Sequence, residues 1–261
     1  MALSARRIHS AGEILRFDAP KQCFIITSVR LNRLHQWEVD FTHARQIQSS
    51  LAEKVVTSNN DINPHIVAGV DVSRPNLQDV ARGAVVLLSY PELELLEVEI
   101  AEAKVTFPYI PGLLSFRECP LILAACQKLC NTPDLVLVDG QGIAHPRRLG
   151  LACHLGLFLD LPTIGCAKSI LCGTHEPVGE EIGSHASLVD NGQVIGAALR
   201  TRTGVKPIYV SIGHKIDLGL ALEWALRTCR GYRLPEPTRL AHLAAGDKLV
   251  PRESRQEKLS S

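Results

Sequence analysis

Two aspartates stand where apolar, strand-like segments end, a placement typical of metal sites. Asp71 lies in HIVAGVDVS and Asp139 in DLVLVDGQG. A carboxylate buried among such neighbours is costly, so each requires a cation or a basic side chain as its partner. Hard divalent cations prefer oxygen ligands of this kind. Either aspartate alone is equally compatible with a structural turn, but the occurrence of two such acids favours a metal site.

A third acid, Glu118, has two interpretations. Ser115 and Glu118 form an S-x-x-E capping box at the start of a predicted helix, which by itself explains a glutamate at this position. The local pattern favours that capping role. Glu118 becomes a candidate metal ligand if its helix starts beside the strand ends that carry Asp71 and Asp139.

Two basic residues follow other apolar segments. Lys168 ends the predicted strand IGCAKS, and His214 follows another strand in YVSIGHKID. A hydrolytic centre benefits from a proton acceptor and from a cation near the negative charge that develops on phosphorus. Taken alone, each residue is more typical of a surface or structural group. Both are candidates for the crevice edge that carries the acids.

The loop FPYIPG combines aromatic residues with two prolines. It presents Phe107, Tyr109 and Ile110 beside Pro108 and Pro111, which stiffen the segment. Such apolar wedges insert between bases and unstack them. The alternative is a loop whose aromatic side chains pack into the core.

The elements that carry these residues alternate between strand and helix. A predicted helix in segment 35–56 has apolar residues every three or four positions, and three predicted strands follow it. A helix from Ser115 to about Cys130 precedes a strand, a helix and a second buried strand, so part of the sheet is predicted to be parallel. Asn191-Gly192 predicts a hairpin. We therefore predict an α/β fold whose mixed central sheet is covered by helices on both faces.

Three segments are predicted along the chain. Residues 1–34 form an N-terminal extension of uncertain order, residues 35–248 form one catalytic domain, and residues 249–261 form a polar C-terminal tail.

Composition and motif searches exclude several classes of protein. The net charge of +1 argues against a strongly basic nucleic-acid binder but permits a local basic groove. DGQGIAHP places His145 where a dinucleotide-binding turn requires its third glycine, and no P-loop, G-x-S-x-G or H-E-x-x-H sequence occurs. Cysteines without a C-x-x-C pair, a poor signal sequence and short apolar runs predict a cytoplasmic protein without a membrane span.

Six motifs, in this order, resemble the endonuclease V family of deoxyinosine-directed repair nucleases, in wording nearer to bacterial members. They are VAGVDVS, PYIPGLLSFRE, DLVLVDGQGIAHPRRLGLACHLG, IGCAKS, SIGHKI and LPEPTRLAH. The resemblance covers residues 35–245 and implies a ribonuclease H-like fold. It also implies hydrolysis of the second phosphodiester bond on the 3′ side of the lesion.

The resemblance assigns roles to individual residues. Asp71, Glu118 and Asp139 are implied as Mg²⁺ ligands, with Mn²⁺ as a substitute, while His214 and Lys168 are implied as further catalytic residues. His145 is implied to contact the nucleic-acid backbone. The wedge is implied to consist of Pro108, Tyr109, Ile110 and Pro111, and the base pocket of Gly112, Leu114, Gly140 and Gly165.

The leading hypothesis is a metal-assisted DNA repair endonuclease that nicks at deoxyinosine. Its expected partner is DNA that contains deoxyinosine or another lesion, with RNA as a further possibility, and the sequence indicates no protein partner. Two alternatives stay open: a ribonuclease H-like nuclease acting on inosine-containing RNA or branched nucleic acid, and a lesion-binding protein without turnover. The second alternative requires a broken metal site, whereas all three acids are present.

Overall fold

A mixed eight-stranded sheet forms the centre of the molecule. The computed structural model describes residues 15–17, 29–58 and 61–251. The strand order in the large sheet is β4-β3-β2-β5-β6-β9-β8-β7, and β1 pairs in parallel with β10 as a separate ribbon. The strands are β1 (Leu15–Phe17), β2 (Ile66–Val72), β3 (Val80–Ser89), β4 (Leu95–Lys104), β5 (Leu135–Val138), β6 (Thr163–Ala167), β7 (His185–Asp190), β8 (Gln193–Leu199), β9 (Ile208–His214) and β10 (Leu249–Pro251). The helices are α1 (Phe41–Ala52), α2 (Leu114–Cys126), α3 (Leu151–Leu159), α4 (Leu218–Arg227) and α5 (Glu236–Ala245).

The predicted strand pattern is confirmed. Strands β2, β3 and β4 form an antiparallel meander, while β2, β5 and β6 run parallel to one another. All four residues of β5 are buried, as expected for a central strand covered on both faces. Asn191 and Gly192 both have positive φ, 51° and 75°, and join β7 to β8 in the predicted hairpin.

Helices cover both faces of the sheet, which confirms the predicted architecture. Alternate residues of the central strands point to opposite faces. Leu135 and Leu137 pack in a core that includes residues of α4 and α5. Val136 and Val138 pack in a second core that includes residues of α2 and α3.

Helix α1 begins later than the periodicity of apolar residues predicts. The side chain of Asp40 accepts hydrogen bonds from the backbone N–H groups of Thr42 and His43, so the helix starts at Phe41. Trp37 precedes the helix, and its ring stacks on that of Phe158 with centroids 4.8 Å apart. Its apolar character reflects packing against α3 rather than a position on the helix.

The predicted capping box at the start of α2 is wrong. The N-cap residue is Leu113, which makes no side-chain capping bond, and Ser115 already lies within the helix. Ser115 Oγ instead lies 2.9 Å from His154 Nδ1 in the interior. The carboxylate of Glu118 is therefore not used as a cap. The helix also ends at Cys126, before the predicted Cys130.

The packed body extends slightly beyond residues 35–248. Val29 and Leu249 are both buried in the core, with exposed fractions of 5% and 2%. The division of the chain into an extension, a catalytic domain and a tail stays a prediction, and most of the two end segments lies outside the described residues. Within the described residues, no helix combines the length and apolar character needed to cross a membrane.

Candidate metal centre and base cavity

Two neighbouring parallel strands bring Asp71 and Asp139 together. Val70 of β2 is in register with Val138 of β5, and an aspartate follows each valine. The backbone N–H of Asp139 donates to the carbonyl of Val70 over 3.4 Å, which continues the pairing at the strand end. Both side chains are mostly buried, with exposed fractions of 13% and 10%. The two carboxylates thus lie side by side at the carboxyl ends of two adjacent parallel strands.

His242 completes a compact group with these two acids. One potential ligand atom from each of Asp71, Asp139 and His242 lies within 4.8 Å of the others. His242 Nδ1 is 2.7 Å from Asp71 Oδ2. His242 belongs to α5, which lies close against β2 because Gly69 has no side chain: a Cβ there would stand 2.0 Å from the carbonyl oxygen of Pro237. Two carboxylates at this spacing form a candidate site for a divalent cation, and the imidazole beside them contacts one of the carboxylates.

Glu118 faces the two aspartates from α2, outside that compact group of described residues. Its pKa is raised from 4.5 to about 8, mainly by burial and then by the negative charges of Asp71 and Asp139. A raised pKa of this kind marks a carboxylate that lacks a sufficient positive partner. Glu118 is therefore positioned to complete an acidic cluster around a cation.

The electrostatics of the aspartate pair also indicate a missing positive charge. Burial raises the pKa of Asp71, and the charge of Asp139 raises it further, whereas the hydrogen bond from His242 lowers it. Lys168 forms a salt bridge with Asp139 Oδ2 and neutralises part of the cluster. Three clustered carboxylates with one lysine contact leave an excess of negative charge, which a divalent cation would compensate.

A cavity of about 330 Å³ opens beside the acids. Asp139 and Lys168 line it on the side of the acidic cluster, and Tyr109 lines it on the side of the loop that precedes α2. Gly112, Leu114 and Gly140, three of the residues in the predicted base pocket, line this cavity. Gly165 does not line it. A Cβ on Gly165 would meet the backbone of Gly142 at 2.5 Å, so this glycine supports the cavity wall from behind.

The first turn of α2 lines the same cavity. Leu114 and Ser115 both line it, and the helix has no side-chain cap. The first backbone N–H groups of a helix have no partner within the helix, and they favour acceptors and negative charge. The cavity wall is therefore suited to accept a carbonyl oxygen of a ligand.

Comparisons with known proteins identify the family. The sequence profile of the Endonuclease V family matches residues 49–243. An endonuclease V of Dehalococcoides mccartyi is 51% identical over 220 residues, which cover 84% of this chain and 99% of that protein. The chain belongs to the endonuclease V family. It is thus a nuclease, a hydrolase of phosphodiester bonds, in a metal-dependent family whose candidate cation site here is the acidic cluster.

Solved endonuclease V structures confirm the fold. The crystal structure from Streptomyces avermitilis is 40% identical, has a TM-score of 0.77, and the match covers 89% of this chain and 100% of that one. An endonuclease V from Ciona intestinalis was solved in complex with a 24mer DNA containing an inosine followed by a ribo-adenosine. It is 28% identical with a TM-score of 0.68, and the match covers 79% of this chain and 96% of that one.

Within this endonuclease V, His214 does not lie at the acidic cluster, contrary to the prediction. Its partner in register is Thr163, at the start of β6, whereas Lys168 follows the end of that strand. His214 is 3% exposed and its Nδ1 accepts a hydrogen bond from the backbone N–H of Val56. Because β9 runs antiparallel to β6, His214 lies where β6 begins, at the end of the strands opposite to the one that carries Asp71 and Asp139. The histidine beside the acids is His242, and the motif LPEPTRLAH contained the only signal for it.

His145 also differs from its predicted role as a backbone contact. It is 3% exposed, and its Nε2 donates to the carbonyl of Gly112 over 3.0 Å. Its Nδ1 accepts from the backbone N–H of Arg147 over 3.1 Å. Burial, with help from the charge of Arg147, lowers the pKa of His145 to about 4, so the ring is neutral near pH 7. Both nitrogens are used within the protein, which leaves none for a phosphate.

The predicted wedge is exposed in part. Tyr109 is 69% exposed, and Pro108 and Pro111 beside it are exposed as well. Phe107, in contrast, is buried in a small core with Phe116, so the alternative of inward packing holds for this one aromatic residue. Phe107 anchors the loop, and Tyr109 projects from it at the mouth of the cavity.

Proposed function

We propose that this protein is a DNA repair endonuclease that nicks DNA at deoxyinosine, hydrolysing the second phosphodiester bond on the 3′ side of the lesion with Mg²⁺. One observation carries the proposal: a single cavity is lined both by Asp139 and Lys168 of the acidic cluster and by Tyr109 and Gly112 of the wedge loop. A base held in this cavity would thus lie next to the groups that act on the strand.

The chemistry of the cavity favours a deaminated base. Its volume of about 330 Å³ lies at the lower end of the range for small-ligand sites, and its wall includes the start of α2, where the N–H groups of a helix favour acceptors. Hypoxanthine carries an oxygen acceptor where adenine carries an amino donor. A flipped hypoxanthine can therefore accept a hydrogen bond from these groups, whereas adenine would place donor against donor.

Each residue of the cluster has a role that its contacts support. Asp71, Asp139 and Glu118 would hold the metal, and His242 orients Asp71 by hydrogen bonding to its Oδ2. When bound, Mg²⁺ would supply an activated water and neutralise charge on the phosphate. Lys168, already at Asp139, is placed to donate to a phosphate oxygen at the cavity mouth. Mn²⁺ accepts the same ligands and should substitute.

The proposed location is the bacterial cytoplasm. Cys119, Cys126, Cys153 and Cys166 are buried thiols that form no disulfide. Such cysteines persist in a reducing compartment, where they act as small core residues.

Inosine followed by a ribonucleotide is a second candidate substrate. The DNA bound by the Ciona intestinalis enzyme contains an inosine followed by a ribo-adenosine. A strand with a ribonucleotide at this position should therefore be compared with the all-deoxy strand. A faster cut beside the ribonucleotide would show that a ribose at this position is preferred.

The test uses end-labelled duplexes that differ only by one deoxyinosine in place of deoxyadenosine. We expect a single nick, at the second bond 3′ to deoxyinosine, in Mg²⁺ and none in EDTA. Equal cleavage of the two duplexes would refute recognition of the lesion. Selective binding without cleavage in Mg²⁺ or Mn²⁺ would instead support the lesion-binding alternative.

A further inference from the structure

The carbonyl oxygen of Gly112 accepts hydrogen bonds from three side chains. Gln48 Nε2 lies 3.0 Å from it, His145 Nε2 lies 3.0 Å from it, and Arg147 Nη2 lies 2.7 Å from it. A carbonyl oxygen has two lone pairs, so one or two donors already satisfy it. Three donors from two separate regions of the chain fix the orientation of this one peptide group.

Gly112 connects the wedge to the cavity wall. Its φ of +78° is a conformation that glycine adopts readily. The next N–H, of Leu113, donates to the carbonyl of Ile110 over 2.9 Å, and α2 begins one residue later at Leu114. Rotation of the Gly112 peptide would move the loop that carries Tyr109 relative to the first N–H groups of α2. The orientation of this peptide therefore determines the shape of the cavity mouth.

Gln48 is the centre of this network. It lies on α1, is 1% exposed and lines the cavity. Its Nε2 also donates to the carbonyl of Leu149 over 3.1 Å, and its Oε1 accepts from Arg147 Nε over 2.6 Å. The bond from Arg147 identifies the oxygen end of the amide. One side chain from α1 thus joins Gly112, on one wall of the cavity, to Leu149 on another.

We infer that Gln48 is a positioning residue for base discrimination, acting through the Gly112 peptide together with Arg147 and His145. This inference rests on the proposed nicking at deoxyinosine. Both ends of the Gln48 amide are bonded within the protein, so it does not read the base directly. It holds the wedge and the start of α2 in the relative position that a flipped base requires. Its loss should weaken capture of the lesion more than it slows hydrolysis.

The test is single-turnover nicking in Mg²⁺ by the full chain at increasing protein concentration. The Gln48→Met variant keeps the length of the side chain and removes both hydrogen-bonding ends. We expect the half-saturating concentration for the deoxyinosine duplex to rise about tenfold, equivalent to about 1.4 kcal/mol. The nicking rate at saturation should stay within about twofold of wild type, because the metal-binding acids are untouched. Binding to an undamaged duplex should not change.

Three further variants keep the inference testable. Gln46→Met, at an exposed position on the same helix, is the matched control and should behave as wild type. Gln48→Glu keeps the acceptor for Arg147 but places an oxygen against two carbonyls, so it should weaken capture at least as much as Gln48→Met. Arg147→Met should weaken capture too, and its effect should be less than additive with Gln48→Met if both act through Gly112. Arg147→Met also serves if Gln48→Met fails to fold.

The outcomes separate this inference from the proposed function. If wild type nicks at deoxyinosine and the Gln48 and Arg147 variants match its half-saturating concentration, the positioning role is wrong and the proposed function stands. A purely structural role would instead lower the thermal midpoint and the saturated rate without changing the preference for deoxyinosine, and this result also refutes the inference. If wild type itself shows no preference for deoxyinosine, both fail.

Discussion

At the scale of single residues, the sequence predicted the chemistry of the site better than the position of each side chain. The sequence correctly predicts that Asp71 and Asp139 end adjacent strands and lie together. It singled out His214, which lies far from the acids, and gave no role to His242, which lies beside them. The direction of β9 and the packing of α5 on β2 decide which histidine faces the acids, and neither is a local property.

The two histidines should therefore respond differently to substitution. We expect His242→Ala to slow nicking by about 100-fold, since the imidazole orients a carboxylate of the reaction centre. His214→Ala should leave the nicking rate near wild type and lower the free energy of unfolding by about 1–3 kcal/mol, because it removes a buried side chain that accepts from the N–H of Val56. Single-turnover kinetics and urea unfolding measure the two effects. A large loss of rate in His214→Ala would contradict the assignment.

Asp71 should show a conflict between stability and activity. Its pKa is raised by burial and by Asp139, so its ionised form destabilises the metal-free fold. We expect Asp71→Asn to abolish nicking and, in EDTA at pH 8, to raise or preserve the thermal midpoint. Asp134→Asn is the control. Asp134 accepts from the N–H groups of His65 and Ile66 at the other end of β2, so its loss should reduce stability and spare nicking.

At the scale of elements, the strands were predicted more accurately than the helix ends. Runs of apolar residues and the Asn191-Gly192 turn specify the strands locally. Helix starts depend on which residue occupies the N-cap: Asp40 caps α1, which starts later than predicted, and Leu113 is the N-cap of α2 where the sequence predicted Ser115. Ser115 is diverted from capping by His154, a residue of α3. A tertiary contact of this kind can prevent capping even where the sequence matches the S-x-x-E capping box.

The approach of α5 to β2 should depend on Gly69. A Cβ at this position would stand 2.0 Å from the carbonyl oxygen of Pro237, so the main chain of α5 would have to shift at a cost in free energy. We expect Gly69→Ala to displace α5 and His242, with a loss of about 1–3 kcal/mol in unfolding free energy and a reduced nicking rate. The control is Gly219→Ala on α4, where the nearest atom is a side-chain atom, Asp217 Oδ1 at 3.1 Å, rather than backbone at 2.0 Å. Wild-type behaviour of Gly69→Ala would show that α5 does not position His242.

At the scale of the whole molecule, the sheet and its two helical layers hold three acids against their mutual repulsion. α2 supplies Glu118 from one face, and α5 supplies His242 from the other. The sequence could not show how deeply the three acids are buried or how strongly their charges repel one another. Both depend on how closely the two helical layers approach the ends of the strands. The cost of this repulsion should nevertheless be measurable as a dependence of global stability on pH.

Metal-free protein should lose stability as pH rises. The pKa of Glu118 is about 8 in the folded protein and 4.5 without its environment, so the folded state holds more protons between these values. Its contribution is fully present below pH 4.5 and is lost as pH rises through about 8. From pH 6.5 to 8, this change corresponds to up to roughly 5 °C in the thermal midpoint. This window avoids the acid range in which the buried neutral ring of His154 would become charged.

Scanning calorimetry in EDTA, with and without excess Mg²⁺, measures this effect. Because a cation competes with the proton for the same carboxylates, Mg²⁺ should stabilise the protein more at pH 8 than at pH 6.5. Glu118→Gln cannot ionise, so it should flatten the decline in EDTA and reduce the stabilisation by Mg²⁺. An equally steep decline in Glu118→Gln would place the pH-sensitive group elsewhere. Equal stabilisation of both proteins by Mg²⁺ would exclude Glu118 from the metal-binding cluster.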